Sequence, residues 1–159
     1  MDKRPDYQQF EDEIYQLWEE SGYFNPDNLP GDRKESYTIL IPPPNASGKM
    51  HTGNILMIAI EDLLIRWKRM QGYDTLYVPG TDHAGFETQI TFERKLKEEG
   101  KSRLDFDRKT LYDMIWDFVQ ENKHLIEDQI RSMGASVDWS RYTFMLDDHV
   151  IETVTNTFR

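Results

Sequence analysis

Apolar positions near the start of the chain recur at helical spacing. Phe10, Ile14, Leu17 and Trp18 share one stripe with acidic residues opposite, which predicts a helix over Phe10–Glu20 stopped by Ser21-Gly22. Pro26–Lys34 holds two prolines and a glycine and reads as a loop. Tyr37–Ile41 is a short run of β-formers, and its length predicts a strand buried on both faces. Pro42-Pro43-Pro44 then withdraws three backbone donors and ends that strand. From Gly53 to Met70 the period becomes 3.6, with Gly72 as the stop. Leu76–Pro79 predicts a second short strand, closed by Pro79-Gly80. Phe86–Glu99 predicts a helix closed by Gly100. Asp105–Met133 carries a long amphipathic pattern, with Asp105 or Asp107 as cap and Gly134 as stop. Val137–Leu146 mixes both periods and is assigned to neither, and Asp147–Arg159 reads as the start of a last helix. Trp18, Trp67 and Trp116 fall at apolar helical positions and are expected in the core, whereas His124 and His149 are expected on the surface.

Strand, helix, strand, helix in this order implies an α/β fold, a Rossmann-like parallel sheet with flanking helices and a right-handed crossover. Ligands of such sheets sit beyond the carboxyl ends of the strands. The loops Pro42–Thr52 and Pro79–Gly85 both follow a strand, so they are expected side by side at one edge. The prolines stop the strand where a site begins.

Composition narrows the classes. The 159 residues are 38% hydrophobic and 30% charged, as in a globular domain, and no apolar run reaches the length of a bilayer span. The opening MDKRPDYQQFEDE has no apolar segment behind its basic residues and does not read as a signal peptide. Cysteine is absent, which excludes disulfides and thiolate metal sites and suits a cytoplasmic protein. A net charge of −10 argues against a broad nucleic-acid surface and leaves room only for a local basic patch.

Gly53 and Asn54 open a helix, whose free N–H groups and positive dipole end attract phosphate. The glycine lets a flat base approach the backbone. His51 and Asn54, three apart, face the same way and could both donate to phosphoryl oxygens, and Lys49 adds a mobile positive charge. A plain helix cap after a turn explains the same residues. In the second loop, Asp82 suits an ammonium group and His83 is either site-lining or an ordinary polar loop residue. Together the loops offer an anion site beside a cation site, which fits an amino acid with a nucleotide. His51 and His83 match no zinc spacing, so no protein-bound metal is expected.

PPPNASGKMHTGN resembles the nucleotide-binding signature of class I aminoacyl-tRNA synthetases, usually His-x-Gly-His, and LIRWKRMQGYDTLYVPGTDHAG is similar to the same region in the valyl branch of that family. YQLWEESGYF is similar to the family's N-terminal helix and turn, and MGASVDWSRYTFMLDD to the segment ahead of its inserted editing domain. The resemblance covers nearly the whole chain. It implies residues 1–36 as an N-terminal helical extension and 37–159 as the first half of the nucleotide-binding catalytic domain, ending before the editing insertion. It implies ATP-dependent activation of valine to valyl-adenylate, then transfer to tRNA(Val), with a magnesium ion accompanying ATP. His51 and Asn54 would contact the ATP phosphates as the catalytic pair, with Gly53 against adenine. Asp82 would bind the ammonium group of valine. Pro42 and Pro43 would wall the side-chain pocket, with Asn45 nearby.

Two departures accompany the resemblance. The fourth motif position is Asn54, whose amide can donate but cannot become cationic. No Lys-Met-Ser-Lys-Ser-type loop occurs in the 159 residues, and the parts of the family that hold most of the tRNA contacts are not among them. A piece of this kind is expected to be weak or inactive alone and prone to self-association through an open sheet edge. A non-catalytic nucleotide-binding fragment and a nucleotidyltransferase of the same superfold are the alternatives.

Overall fold

The computed structural model describes Tyr7 and residues 10–159. The rest of the expected N-terminal extension, at residues 1–6 and 8–9, lies outside the described residues. The elements run α1 (Glu11–Glu20), β1 (Ser36–Leu40), α2 (Thr52–Met70), β2 (Asp74–Val78), β3 (Gly80–Thr81), α3 (Gly85–Glu98), α4 (Arg108–Ser132), β4 (Thr143–Phe144) and α5 (Asp148–Thr157). Short 3₁₀ turns cover Pro26–Asn28, Arg103–Asp105 and Trp139–Arg141. The chain divides into two units. One gathers the described residues up to Ile41 with Ile55–Pro79 and Gln129–Tyr142; the other gathers Pro42–Asn54, Gly80–Asp128 and Thr143–Arg159.

In the first unit, β1 and β2 pair in parallel from Ser36↔Asp74 to Leu40↔Val78, with α2 between them in sequence. This is the expected strand–helix–strand unit. Tyr77 on β2 is fully buried, and its hydroxyl donates to Glu61 Oε2 of α2 at 2.9 Å. Ile58 and Ile65 of α2 are buried in the same unit. Strand β1 departs from expectation: it alternates between exposed and half-buried residues, and Leu40 is 65% exposed. With β2 as its only pairing partner among the described residues, β1 is an edge, and only Ile41 just beyond it is fully buried.

A polar network ties α2 to the segment after α4. Asp62, buried on α2, accepts from the Ser136 backbone N–H at 2.8 Å and from Arg66 Nε at 2.6 Å. Arg66 Nη2 donates onward to the Gly134 carbonyl at 2.5 Å. Tyr15, the buried residue of α1, donates to the Ala135 carbonyl at 2.9 Å and accepts from Trp139 Nε1 at 3.0 Å. Helix α1 thus turns Tyr15 inward, while Ile14, Leu17 and Trp18 of the expected apolar stripe remain exposed. A buried hydroxyl that finds two partners fixes which face of the helix turns inward.

In the second unit, β3 and β4 pair in parallel, Gly80↔Thr143 and Thr81↔Phe144. A Cβ on Gly80 would stand 2.9 Å from the Thr143 carbonyl oxygen, so this approach requires glycine. Phe92 and Leu96 of α3 are buried, as are Val119 and Ile126 of α4, and the Phe92 and Phe118 rings lie 5.5 Å apart. Of the two cap candidates for α4, Asp107 takes the role, accepting from Lys109 N and Thr110 N. Asp105 instead completes a capping box with Ser102 on the preceding 3₁₀ turn. The expected core tryptophans are not core: Trp18, Trp67 and Trp116 are 39%, 49% and 37% exposed. His124 and His149 are exposed as expected. Among the described residues no helix is long and apolar enough to cross a membrane.

Candidate active site in the second unit

All nine residues expected at the site fall in the second unit, on the loop after β1, the first turn of α2 and the loop after β3. The backbone joins the two loops directly. Asn45 and Asp82 form a parallel bridge, with Ala46 N donating to the Asp82 carbonyl at 2.7 Å and Asp82 N to the Pro44 carbonyl at 2.8 Å. The side-by-side placement expected of the loops is therefore present. The prolines grade from exposed Pro42 through half-buried Pro43 to buried Pro44, and Pro44, which lacks a donor, spends its carbonyl on Asp82.

His51 and Asn54 cap the first turn of α2 reciprocally. His51 Nδ1 accepts from Gly53 N at 3.0 Å and Asn54 N at 3.3 Å, while Asn54 Oδ1 accepts from His51 N at 3.3 Å. This is a capping box with an imidazole in place of the usual hydroxyl. Two backbone donors on Nδ1 assign its lone pair there, which leaves Nε2 as the nitrogen that can donate to another group. Asn54 keeps both amide hydrogens for another acceptor. Gly53 is needed for a reason beyond ligand access: a Cβ there would stand 2.8 Å from His51 Cε1. The plain helix cap that the sequence offered is present, and it is made by the same residues that were expected to face phosphate. Lys49 is exposed.

In the second loop, His83 Nδ1 lies 3.2 Å from Asp82 Oδ1, yet Nδ1 is sealed from water without a properly aligned hydrogen bond. The contact is close but does not have the alignment of a hydrogen bond. Ala84, next in sequence, takes a left-handed conformation at φ 49° immediately before α3, the one non-glycine with positive φ among the described residues. The His83 carbonyl accepts from Thr88 Oγ1 at 2.5 Å, which fixes this turn to α3. Glu87 was not expected: its Oε2 accepts from Asn45 Nδ2 at 2.6 Å. Forty-two residues separate that pair, and neither residue sits in a pattern that would have paired them. No group of three or more His, Asp or Glu placed to hold a metal occurs among the described residues.

Comparison with known proteins bears on the family and the fold. The family model of class I tRNA synthetases (I, L, M and V) matches residues 13–159. The chain is 43% identical to a valine–tRNA ligase of Pseudothermotoga lettingae, over 95% of this chain and 17% of the relative. It is 40% identical to a valine–tRNA ligase of Treponema denticola, over 99% of this chain and 17% of the relative. In structure it is similar to the agnB2 LeuRS of Agrobacterium radiobacter, solved as a ternary complex with tRNA and LeuAMS. The TM-score is 0.76 at 17% identity, covering 98% of this chain and 18% of that one. That likeness shows the fold. The chain spans 17% of the length of the curated relatives it matches.

Proposed function

The chain belongs to the class I tRNA synthetases, and from that premise we propose that its two bridged loops are part of the activation site of a valine–tRNA ligase. The observation that carries the reading is the Asn45–Asp82 bridge, because it brings the loop that ends in His51 against the loop that carries Asp82. In the proposed reaction the valine carboxylate attacks the α-phosphorus of ATP. The bond to pyrophosphate breaks and valyl-adenylate forms. The valyl group then moves to the 3′-terminal adenosine of tRNA(Val).

Each residue has a role in this reading. His51 donates from Nε2 to a phosphoryl oxygen as charge develops, and Asn54 donates from its free amide hydrogens, which is electrostatic stabilisation by pre-placed donors. Gly53 lies against adenine, and Lys49 adds positive charge near the phosphates. Asp82 binds the ammonium group of valine, His83 lines the same site, and Pro42 and Pro43 wall the side-chain pocket beside Asn45. Magnesium arrives as the ATP complex, a part of the substrate, and no residue is assigned to it. The partition into a 1–36 extension and a 37–159 first half of the catalytic domain, a cytoplasmic location and self-association through the β1 edge belong to the same proposal.

Valine-dependent ATP–pyrophosphate exchange tests it. The assay is run on the chain and on a chimera in which the chain replaces the matching region of the Pseudothermotoga lettingae relative. Exchange in the chimera should prefer valine to isoleucine and threonine and fall about 100-fold in His51→Ala and Asp82→Asn. Exchange that is indifferent to both substitutions would overturn the site assignment, and a preference for another amino acid would overturn the substrate. Binding of ATP by the chain alone without exchange would favour the reading in which these loops bind and position only.

A further inference from the structure

Glu87 reaches the candidate site without belonging to either of its loops. It stands in the first turn of α3, and its Oε2 accepts from Asn45 Nδ2 at 2.6 Å. Both ends of this bond are anchored within the second unit. On one side Asn45 is bridged to Asp82, and the buried Ala46 donates to the Asp82 carbonyl at 2.7 Å. On the other side Glu87 N donates to the Ala84 carbonyl at 2.9 Å, and the buried Thr88 donates through Oγ1 to the His83 carbonyl at 2.5 Å. The Asn45 and Glu87 side chains are themselves exposed, so a ligand has access to both. A carboxylate in the first turn of a helix suits the dipole whichever way its side chain lies. The bond to Asn45, 42 residues back, needs this one direction.

An ionised carboxylate has no hydrogen to give. The Asn45 atom against it is therefore the amide nitrogen, and the oxygen at the other end of the amide is left to accept. Without Glu87 the amide is free to turn over and present its NH2 group in the same place. An NH2 group attracts carboxylate and phosphoryl oxygens and repels an ammonium group. Glu87 thus decides the polarity of Asn45. Asp82, the bridge partner of Asn45, is the carboxylate proposed above for the ammonium group of valine. An amide oxygen beside it adds a second acceptor for a group that carries three donors.

We propose, resting on the reading of these loops as a valine site, that Glu87 is a positioning residue: it turns the Asn45 amide so that Oδ1 accepts from the substrate's ammonium group alongside Asp82. A hydrogen bond to an ionised carboxylate is of the stronger kind, so one such bond is enough to hold a small amide in one orientation.

Two measurements test it. In nitrogen-15 NMR of the full 159-residue chain, one Asn45 side-chain amide proton should lie downfield of its place in a solvated amide, and Glu87→Ala should return it there. An Asn45 amide signal that Glu87→Ala leaves unchanged overturns the proposal, because something else then orients the group. The second measurement is valine-dependent exchange in the chimera described above, with circular dichroism reading the fold of each variant separately. Asn45→Ala and Glu87→Ala should each raise KM for valine about tenfold, while KM for ATP stays within about twofold. The double variant should be no worse than Asn45→Ala alone, because Glu87 acts through Asn45. Additive losses overturn the proposal by showing that the Glu87 charge meets the substrate directly. Equal rises in both KM values overturn it by making Glu87 a structural residue. An unchanged KM for valine in Glu87→Ala sinks the positioning role alone where Asp82→Asn still raises that KM; where Asp82→Asn is also silent, the reading of the site falls with it.

Discussion

Ser136 and Asp62 are joined twice through a single atom: Asp62 Oδ1 accepts both the Ser136 backbone N–H at 2.8 Å and the Ser136 hydroxyl at 2.5 Å. The other carboxylate oxygen holds Arg66. Removing the carboxylate leaves two buried donors unsatisfied and a guanidinium without its counter-ion. Asp62→Ala should therefore destabilise the chain by about 2–3 kcal/mol, the half-exposure of Arg66 keeping the loss at the low end for such pairs. Urea denaturation measures it; a loss under about 1 kcal/mol would mean that solvent replaces the network easily.

The capping box of α2 makes a prediction about protons. With Nδ1 accepting from Gly53 and Asn54, the His51 ring should show the Nε2–H tautomer in nitrogen-15 NMR at neutral pH. Gly53→Ala should push the ring off that position, because the new methyl stands 2.8 Å from Cε1. The expected results are a mixed tautomer signal and a cost of about 1 kcal/mol, the usual worth of an N-cap. An unchanged His51 spectrum in the alanine variant would show that the cap is not what orients the ring.

Ala84 stores strain beside the candidate site. A left-handed alanine costs about 1–2 kcal/mol relative to an unstrained one. Ala84→Gly should raise stability by about 1 kcal/mol, or Tm by about 3 °C in a chain of this size. Ala84→Val should lower it. A glycine variant no more stable than the parent would place the compensation in the Thr88 bond to the His83 carbonyl.

Alkaline pH should reveal Tyr77 and Tyr15. Burial raises both phenols above the ordinary value of 10.0, and for Tyr77 the neighbouring Glu61 carboxylate adds to the rise. The folded state therefore holds these protons more tightly than the unfolded state does. Their contribution to stability is complete below pH 10 and is lost as pH rises beyond it. Phenolate absorbance should show a late fraction that ionises only as the circular dichroism collapses, and Tyr77→Phe should diminish that fraction. A single transition of all tyrosines ahead of unfolding would contradict the assignment.

Much of this could be read from sequence because punctuation is a local property. Pro42-Pro43-Pro44, Gly72 and Pro79-Gly80 set the ends of β1, α2 and β2 within a few residues, and the side-by-side loops followed from strand order alone. Burial was read less well. Periodicity identifies an apolar face but not whether anything packs on it, so Trp67 was expected inside and is half exposed, and Leu40 was expected beneath a second layer and lies on an edge. The polar pairs that hold the molecule, Asp62 with Ser136 and Asn45 with Glu87, are long-range and carry no local signature. At α4 the choice between Asp105 and Asp107 was open because both have cap chemistry; Ser102 decided it by claiming Asp105 for its own turn.

The interleaving of the two units sets a timetable for synthesis. Neither is a continuous stretch: the first needs Gln129–Tyr142 and the second needs Thr143–Arg159. Asp62 leaves the ribosome 74 residues ahead of Ser136, an interval of roughly 4–15 s at about 5–20 residues per second. For that time the α2 carboxylate lacks its later partner. The nascent chain thus passes through a window in which the first unit waits for its last segment, and slowing translation across residues 80–128 would lengthen it.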